Sequence, residues 1–309
     1  MLVARLGSVK AAAKALGVTE PAVSGALASL RQHLGDPLVE RTPTGMELTP
    51  AGKRLIPIAS QMVNLAVEAE AAIRDAQGAP ELLRVVATST VAEFLAPGLL
   101  AAFTSRGHAV EASVGLTTEA EMAALLLERL ADVGLGPRLP DLVSEPVMRY
   151  RLVVAAGPGH RLAREGSAPL PAKLVVDQDW LVGPSAVDRG SDTSALLNRL
   201  GVPESRLRVF GSESAAWAAA ADGEGVAPAV DHLVAPEVRR GALVVLPVEG
   251  TPVERLWHVS TLTPDRRSPA ATRLRRFLGT ADAMHVMHRA DRSVPAARFR
   301  PPVYVTLWS

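Results

Sequence analysis

Hydroxyl side chains and glycines gather at one kind of place in this chain, just after a short apolar run and just before a stretch of helical spacing. Thr88-Ser89-Thr90 follows Leu82–Ala87, Thr117-Thr118 follows Val110–Val114, and Gly134 begins Gly134–Gly136 in the run after Asp132. Gly183-Pro184-Ser185 follows Trp180–Val182, Ser212-Glu213-Ser214 follows Arg208–Phe210, and Gly225 lies in Gly223–Val226. Hydroxyls and unpaired N–H groups at the start of a helix suit a carboxylate, a sugar or an amino-acid-like ligand. The same residue types also serve as plain caps and turns. Taken singly, each junction reads as local structure; several of them converging in one cleft make a pocket. Catalytic patterns are missing: there is no Gly-x-Ser-x-Gly, no Walker phosphate loop and no His-Glu-x-x-His. His285 and His288 stand three apart without an acidic cluster nearby, so no metal is expected, and Gly223-x-Gly225 is too short for a dinucleotide fingerprint. No cofactor and no enzyme activity are expected.

The elements that must position these junctions alternate. Strands are expected at Leu82–Ala87, Val110–Val114, Asp132–Leu135, Arg151–Ala156, Trp180–Val182, Arg208–Phe210, Val226–Ala229, Leu243–Pro247 and Leu256–Thr263. Helices are expected at Val91–Ser105, Glu119–Leu130, Asp192–Leu200, Ser214–Asp222 and Ser268–Leu278. Such βα alternation implies open, mostly parallel sheets with ligands at the C-terminal ends of the strands. The order falls into two series, which fit two lobes around one cleft.

The 309 residues allow two or three domains at roughly 100–200 residues each. With no cysteine the chain has no disulfide and no thiolate metal site, as suits a reducing compartment. No apolar run approaches the ~18 residues that span a bilayer, and no membrane partner is expected. Arg5, Lys10 and Lys14 interrupt any export-signal core at the start, so a cytoplasmic location is expected. The net charge of +1 conceals an asymmetry. Residues 1–54 hold seven Lys/Arg against four Asp/Glu, residues 55–263 hold 17 against 25, and residues 264–309 hold nine against three. Two basic ends therefore flank an acidic middle, a pattern compatible with nucleic-acid binding at one end.

The first 50 residues read as short helices. Ser8 caps an Ala-rich helix to Leu16 that Gly17 ends, and Thr19 caps a second with Pro21 in its first turn. Val23, Leu27, Leu30 and Leu34 are expected to form the buried stripe of that second helix. Pro43-Thr44-Gly45 turns between two short extended pieces, a hairpin or wing. Thr49-Pro50 opens a long helix to about Ala76, with Leu55, Met62, Leu65, Ala69 and Ile73 spaced as the seam of a two-helix contact. Gly78-Ala79-Pro80 ends it.

Gly7–Ala13, Val18–Ser24, Leu34–Arg41 and Leu48–Gly52 fall in order at close spacing, and together they resemble the winged helix-turn-helix of LysR-type transcriptional regulators. The likeness runs on through the long helix and, more loosely, to about Gly279. It implies a multidomain α and α/β fold: a winged helix-turn-helix over 1–50, a linker and dimerisation helix over 51–79, and a two-lobed α/β effector-binding domain over 80–280. Lobe 1 would take 82–155 and 260–280, lobe 2 would take 156–259, and a basic, Pro-containing tail would take 281–309. The partners implied are double-stranded operator DNA, a small-molecule effector, a second or further copies of the chain, and RNA polymerase. A solute-binding protein with the same cleft and impaired or no DNA binding is the other reading; residues 7–52 and the lack of an export signal argue against it.

In such a reader the second helix enters the major groove by its N-terminal end. Here that end presents Thr19, Glu20, Pro21, Ser24 and Gly25, with Arg31 further along and Arg41 and Thr44 toward the wing. Thr19 suits a phosphate oxygen and Glu20 a cytosine amino group. Gly25 stands where the family more often has a polar or basic side chain, which implies thinner base readout. The family also has several more residues before the equivalent of Leu2. Met1–Leu6 then corresponds to the second half of its first helix, implying a shortened helix and a weakened reader. By the same resemblance the effector sits between the lobes, against Thr88, Ser89, Thr90, Thr117, Gly134, Gly183, Pro184, Ser212, Glu213 and Gly225. Glu213 replaces a small polar residue, and facing the cleft it would disfavour a simple anion. Arg138, Arg189 and His258 are candidates for ligand partners, but each reads first as a surface or hinge residue. In the tail, Val303–Trp308 reads as a strand docked on a sheet edge.

Overall fold

The computed structural model describes residues 1–42, 45–107, 109–164 and 169–288. The reader opens with α1 (Leu2–Leu6), α2 (Val9–Leu16) and α3 (Glu20–Leu34). Its boundaries follow from local chemistry. The Ser8 hydroxyl accepts the Ala11 N–H at 3.3 Å, Gly17 closes α2 at φ 68°, and the Thr19 hydroxyl accepts the Ala22 N–H at 3.4 Å. β1 (Val39–Thr42) and β2 (Gly45–Leu48) pair antiparallel as the wing. The expected stripe on α3 is only partly covered: Val23 and Leu27 pack inward, whereas Leu30 and Leu34 are exposed. The reason is length, since the 15-residue α3 extends past its eight-residue neighbour α2.

α4 (Pro50–Ala76) is the long helix. Its seam residues Met62, Leu65 and Ile73 are uncovered within the single chain, at 63%, 65% and 58% exposure.

Beyond it lie β3 (Glu81–Ala87), α5 (Ser89–Phe94), α6 (Ala96–Thr104), β4 (Val110–Leu116), α7 (Glu119–Leu127), β5 (Val133–Gly136) and β6 (Val143–Ala156). Then come α8 (Ala172–Val176), β7 (Trp180–Val182), α9 (Asp192–Leu200), β8 (Leu207–Val209), α10 (Glu213–Ala221) and β9 (Val226–Val230). α11 (Asp231–Arg239), β10 (Val244–Leu246), β11 (Val253–Thr261), α12 (Pro269–Leu278) and α13 (Ala281–His288) complete the described chain.

The strands join in one sheet of order β4-β3-β5-β11-β6-β9-β7-β8, with β10 also on β6. Within each lobe the outer strands are parallel, β4-β3-β5 on one side and β9-β7-β8 on the other. The centre departs from the parallel expectation. β6 and β11 are long and antiparallel, paired from Val253↔Leu152 to Thr261↔Val143 with a register shift at Trp257/His258. This pair carries the chain from lobe 1 to lobe 2 and back, so the lobes are hinged on two continuous strands. The expected helix Val91–Ser105 is two helices. Pro97 lacks the N–H that a continuous helix needs there, and α6 begins with it in its first turn. The first eight residues assigned to the tail form α13, which buries Ala283 and Met287 and packs on α6. The proposed strand Val303–Trp308 lies outside the described residues.

The main core runs through both lobes, with Phe103, Trp180 and Leu181 fully enclosed. A second cluster joins the reader to lobe 1: Leu2, Val3 and Ala12 pack with Met122, Leu125 and Leu126 of α7.

Candidate functional site

Thr19, Glu20, Pro21, Ser24 and Gly25 form an exposed surface over the first turns of α3. A Cβ added at Gly25 would meet nothing within 4 Å, so the glycine answers to no packing demand. Arg31 departs from its expected role. Its Nε donates to Pro37 O at 2.7 Å and its Nη2 to Val39 O at 3.1 Å, which makes it a brace between α3 and the wing. Arg41 lies on β1, and Thr44 falls outside the described residues.

The reader rests on lobe 1 through charge as well as apolar contact. Arg5 Nε meets Glu128 Oε1 at 2.7 Å, and Lys14 Nζ meets Glu121 Oε1 at 3.0 Å. Burial opposes charge on Glu121, but the Thr118 N–H bond and Lys14 together outweigh it and hold its pKa below the ordinary carboxylate value.

Between the lobes the strand ends converge. Thr88, Ser89 and Thr90, after β3, line a cavity of about 40 Å³ together with Tyr150, Asp192 and Trp257. A wider pocket of about 460 Å³ opens beside it, within the range that holds small ligands. Ser89 and Thr117 line it from lobe 1, Pro184 and Phe210 from lobe 2, and Lys14 and Ala15 from the reader. The structure thus brings Thr88, Ser89, Thr90, Thr117 and Pro184 to one cleft.

Gly183, buried beside Pro184, lines neither space; it is kept without a side chain for a steric reason, since a Cβ on it would come within 2.4 Å of the Glu213 carboxylate. Glu213 is 3% exposed, and its Oε1 accepts the Ser185 N–H at 2.8 Å and the Ser89 hydroxyl at 3.1 Å. Burial pushes its pKa up, the bonds from Ser185 and Ser89 pull back, and nearby Glu93 adds to the rise.

Three expected residues do other work. Gly134 lies in the lobe 1 core, where an added Cβ would stand 2.7 Å from Met122 Sδ. Gly225 precedes β9, at the strand's N-terminal end and away from the cleft; an added Cβ there would come within 2.2 Å of Asp179 O. The C-terminal end of that strand supplies Val230 to the smaller cavity instead. Ser212 caps α10, its hydroxyl accepting the Ala215 N–H at 3.1 Å.

Tyr150, Asp188, Asp192 and Trp257 were not read from the sequence. The Tyr150 and Trp257 rings stack at 4.2 Å, and the Tyr150 hydroxyl donates to Asp192. Burial first and the Asp192 charge second raise the Tyr150 pKa. Asp192 also takes Arg255 Nε at 2.7 Å. Glu119, raised by burial and then by Asp188 and Asp192, adds to an acidic rim. Ser191 caps α9 with its hydroxyl on the Ser194 N–H, so the run Asp188–Asp192 carried a readable helix-start signal, whereas Tyr150 and Trp257 meet only through sheet pairing. Arg138 and Arg189 are exposed, as expected. Among the described residues no cluster of His, Cys, Asp or Glu could hold a metal ion.

A winged helix-turn-helix, a long helix with an uncovered apolar seam and a two-lobed cleft define a DNA-reading protein that carries its own ligand-binding domain. The chain belongs to the LysR family of transcriptional regulators. The profile described as LysR substrate binding domain matches residues 76–283, and that of the bacterial regulatory helix-turn-helix protein, lysR family, matches residues 1–53. An uncharacterized HTH-type transcriptional regulator of Mycobacterium tuberculosis is 34% identical, covering 99% of this chain and 97% of the relative. HTH-type transcriptional regulator CfxR of Cupriavidus necator is 30% identical over 89% of this chain and 87% of its own. The fold is shared with the Synechocystis CcmR regulatory domain in complex with 2-PG, at TM-score 0.53 and 24% identity, covering 64% of this chain and 95% of that one. It is shared also with full-length CbnR complexed with target DNA, at TM-score 0.51 and 22% identity, covering 90% and 95%. The chain is a LysR-type, DNA-binding transcriptional regulator with an effector-binding domain, and no helix among its described residues is long and apolar enough to cross a membrane.

Proposed function

We propose that this regulator binds operator DNA as a dimer or tetramer paired along α4, and that a small molecule entering the cleft between the lobes switches it. The observation that carries the proposal is the meeting of three parts at one pocket, since both lobes and Lys14 of the reader line the same 460 Å³ space. A ligand shifts an equilibrium only by contacts that differ between states, and a ligand here contacts groups whose spacing changes when the lobes or the reader move. The neighbour solved in complex with 2-PG supports a small molecule as the effector class.

On DNA, Thr19, Glu20, Pro21 and Ser24 face base edges and phosphates, and Arg41 and the wing meet the sugar-phosphate backbone. Such a protein works in the cytoplasm, without catalysis, and passes its signal to RNA polymerase at the promoter.

Footprinting on the DNA upstream of its own gene and of the divergent neighbour tests the reading. Two protected half-sites one helical turn or a multiple apart, about 34–36 Å per turn, are expected. A small molecule that raises the melting temperature should also alter the footprint. Protection absent on every promoter tried, with ligands still raising the melting temperature, would leave a binding protein that does not read DNA.

A further inference from the structure

Two carboxylates reach across the cleft in opposite directions. Glu93 of lobe 1, 5% exposed, accepts the Glu213 N–H at 2.9 Å and the Ser214 N–H at 3.1 Å, covering the start of α10 in lobe 2. Glu213 of lobe 2 returns to lobe 1 and takes the Ser89 hydroxyl while holding the Ser185 N–H of its own lobe. The donors converging on the cleft floor are thereby met by acids of the chain itself. One hydroxyl and one backbone N–H, aimed at a single carboxylate oxygen in a buried place, are the donor set that a small external acid would need. The seat is also shaped for it: Gly183 leaves the volume that the Glu213 carboxylate fills, and a side chain of any size there would expel it. What remains open beside it is about 40 Å³, on the order of the space for one water. Asp188 and Asp192, the charged side chains on that cavity's wall, are both acidic.

We propose that Glu213 is a built-in occupant of the cleft's anion position, so that the effector of this regulator carries no carboxylate or phosphate at that end and presents hydroxyl or amine donors instead. The assignment rests on the reading of the cleft as the effector site. It sets this chain apart from a cleft that takes an acid, because a free acid would have to displace a tethered one and then face Glu93, Asp188 and Asp192. Effective concentration favours the tethered group strongly.

Acetate is the probe, because it is the Glu213 side-chain terminus as a free molecule. The full chain and its Glu213→Ala and Glu213→Gln variants are titrated with sodium acetate by calorimetry and by melting temperature, with sodium chloride as the ionic control. Glu213→Ala empties the seat and should bind acetate at least about tenfold more tightly than the unaltered chain. Glu213→Gln keeps an oxygen acceptor for Ser89 and Ser185 and fills the seat, so it should stay with the unaltered chain. Glu213→Ser, which leaves a hydroxyl on α10, replaces the alanine variant should that one fail to fold. Equal acetate binding by the unaltered chain and the alanine or serine variant overturns the proposal, as does binding by none of them. Gain by the glutamine variant equal to that of alanine also overturns it, since that would trace the exclusion to charge and not to occupancy. A footprint of the unaltered chain, run in parallel, reads the regulator assignment separately, because acetate binding does not depend on DNA.

Discussion

Lys14 Nζ of the reader lies 3.0 Å from Glu121 Oε1 of lobe 1, and the same glutamate closes a capping box at the start of α7. Its Oε2 accepts the Thr118 N–H at 3.0 Å while its own N–H donates to the Thr118 hydroxyl at 3.3 Å. Thr117 and Thr118 also line the wider pocket. One side chain therefore ties the reader, the helix beneath it and the pocket wall together, and a ligand that shifts this turn acts on the position of Lys14 without a longer route.

The two jobs of Glu121 separate by substitution. Glu121→Gln keeps an acceptor for the Thr118 N–H and loses the ion pair with a half-exposed lysine, which should cost under about 1 kcal/mol. Glu121→Ala also loses the return bond of the capping box, while Thr118 still caps α7, and should cost up to about 1 kcal/mol more. Urea denaturation of both reads the difference. The pH behaviour follows from the depressed pKa: the stability Glu121 contributes is present above its ordinary value of 4.5 and is lost as pH falls through the lower folded value. The glutamine variant should lack that acid-side loss.

The α4 seam gives a second prediction. Met62 and Leu65 are more than half exposed in the single chain, which is costly for large apolar groups unless another copy covers them. Leu65→Glu places a charge in the middle of the seam and should turn a dimer into monomers at micromolar concentration, read by sedimentation equilibrium. Paired half-site protection should vanish with it. A dimer that persists unchanged would place the interface elsewhere.

What the sequence made legible and what it withheld divide by range. Ser8, Gly17 and Thr19 act within one helical turn, so their residue types announce them. The β6–β11 pair brings Tyr150 onto Trp257 from more than a hundred residues away, and nothing local encodes that register. Glycines mislead for a related reason. Gly134 and Gly183 look alike beside their strands, yet one makes room for Met122 and the other for a glutamate of the second lobe. Arg31 read as a DNA contact because an arginine on a reader helix suits phosphate; the carbonyls of Pro37 and Val39 that hold it become visible only once the wing folds back. α11 carries Pro236 in its interior, and a proline there weakens the helical signal of Asp231–Arg239.

Gly25 offers a gain of function. Its exposed place on α3 has no neighbour within 4 Å of an added Cβ, so a side chain enters without strain. Gly25→Arg should raise helix stability by up to about 1 kcal/mol and add one cation toward the phosphates. The dependence of log affinity on log salt should then steepen by about 0.9 for the added contact. Filter binding across a salt series measures the slope. An unchanged slope would mean that this face of α3 does not approach DNA.

His232 supplies the pH prediction with the largest lever. The imidazole lies edge-on to Trp257 at 5.8 Å between ring centroids and 6.1 Å from the His288 ring. Burial first, then His288, lowers its pKa from 6.5 to about 4, and Asp231 offsets this only in part. The folded chain therefore keeps His232 neutral where the unfolded chain takes up a proton, so the unfolded state binds more protons between those two values. The stability that His232 contributes falls as pH drops from about 6.5 toward 4, at no more than about 1.4 kcal/mol per pH unit. Above 6.5 the contribution is flat. His232→Asn removes the titration while keeping a polar group of similar reach, and its stability should change less steeply across that window than the unaltered chain's. Denaturant midpoints at half-unit pH steps resolve the two slopes, and parallel curves would show that His232 protonates as readily in the folded chain as in the unfolded one.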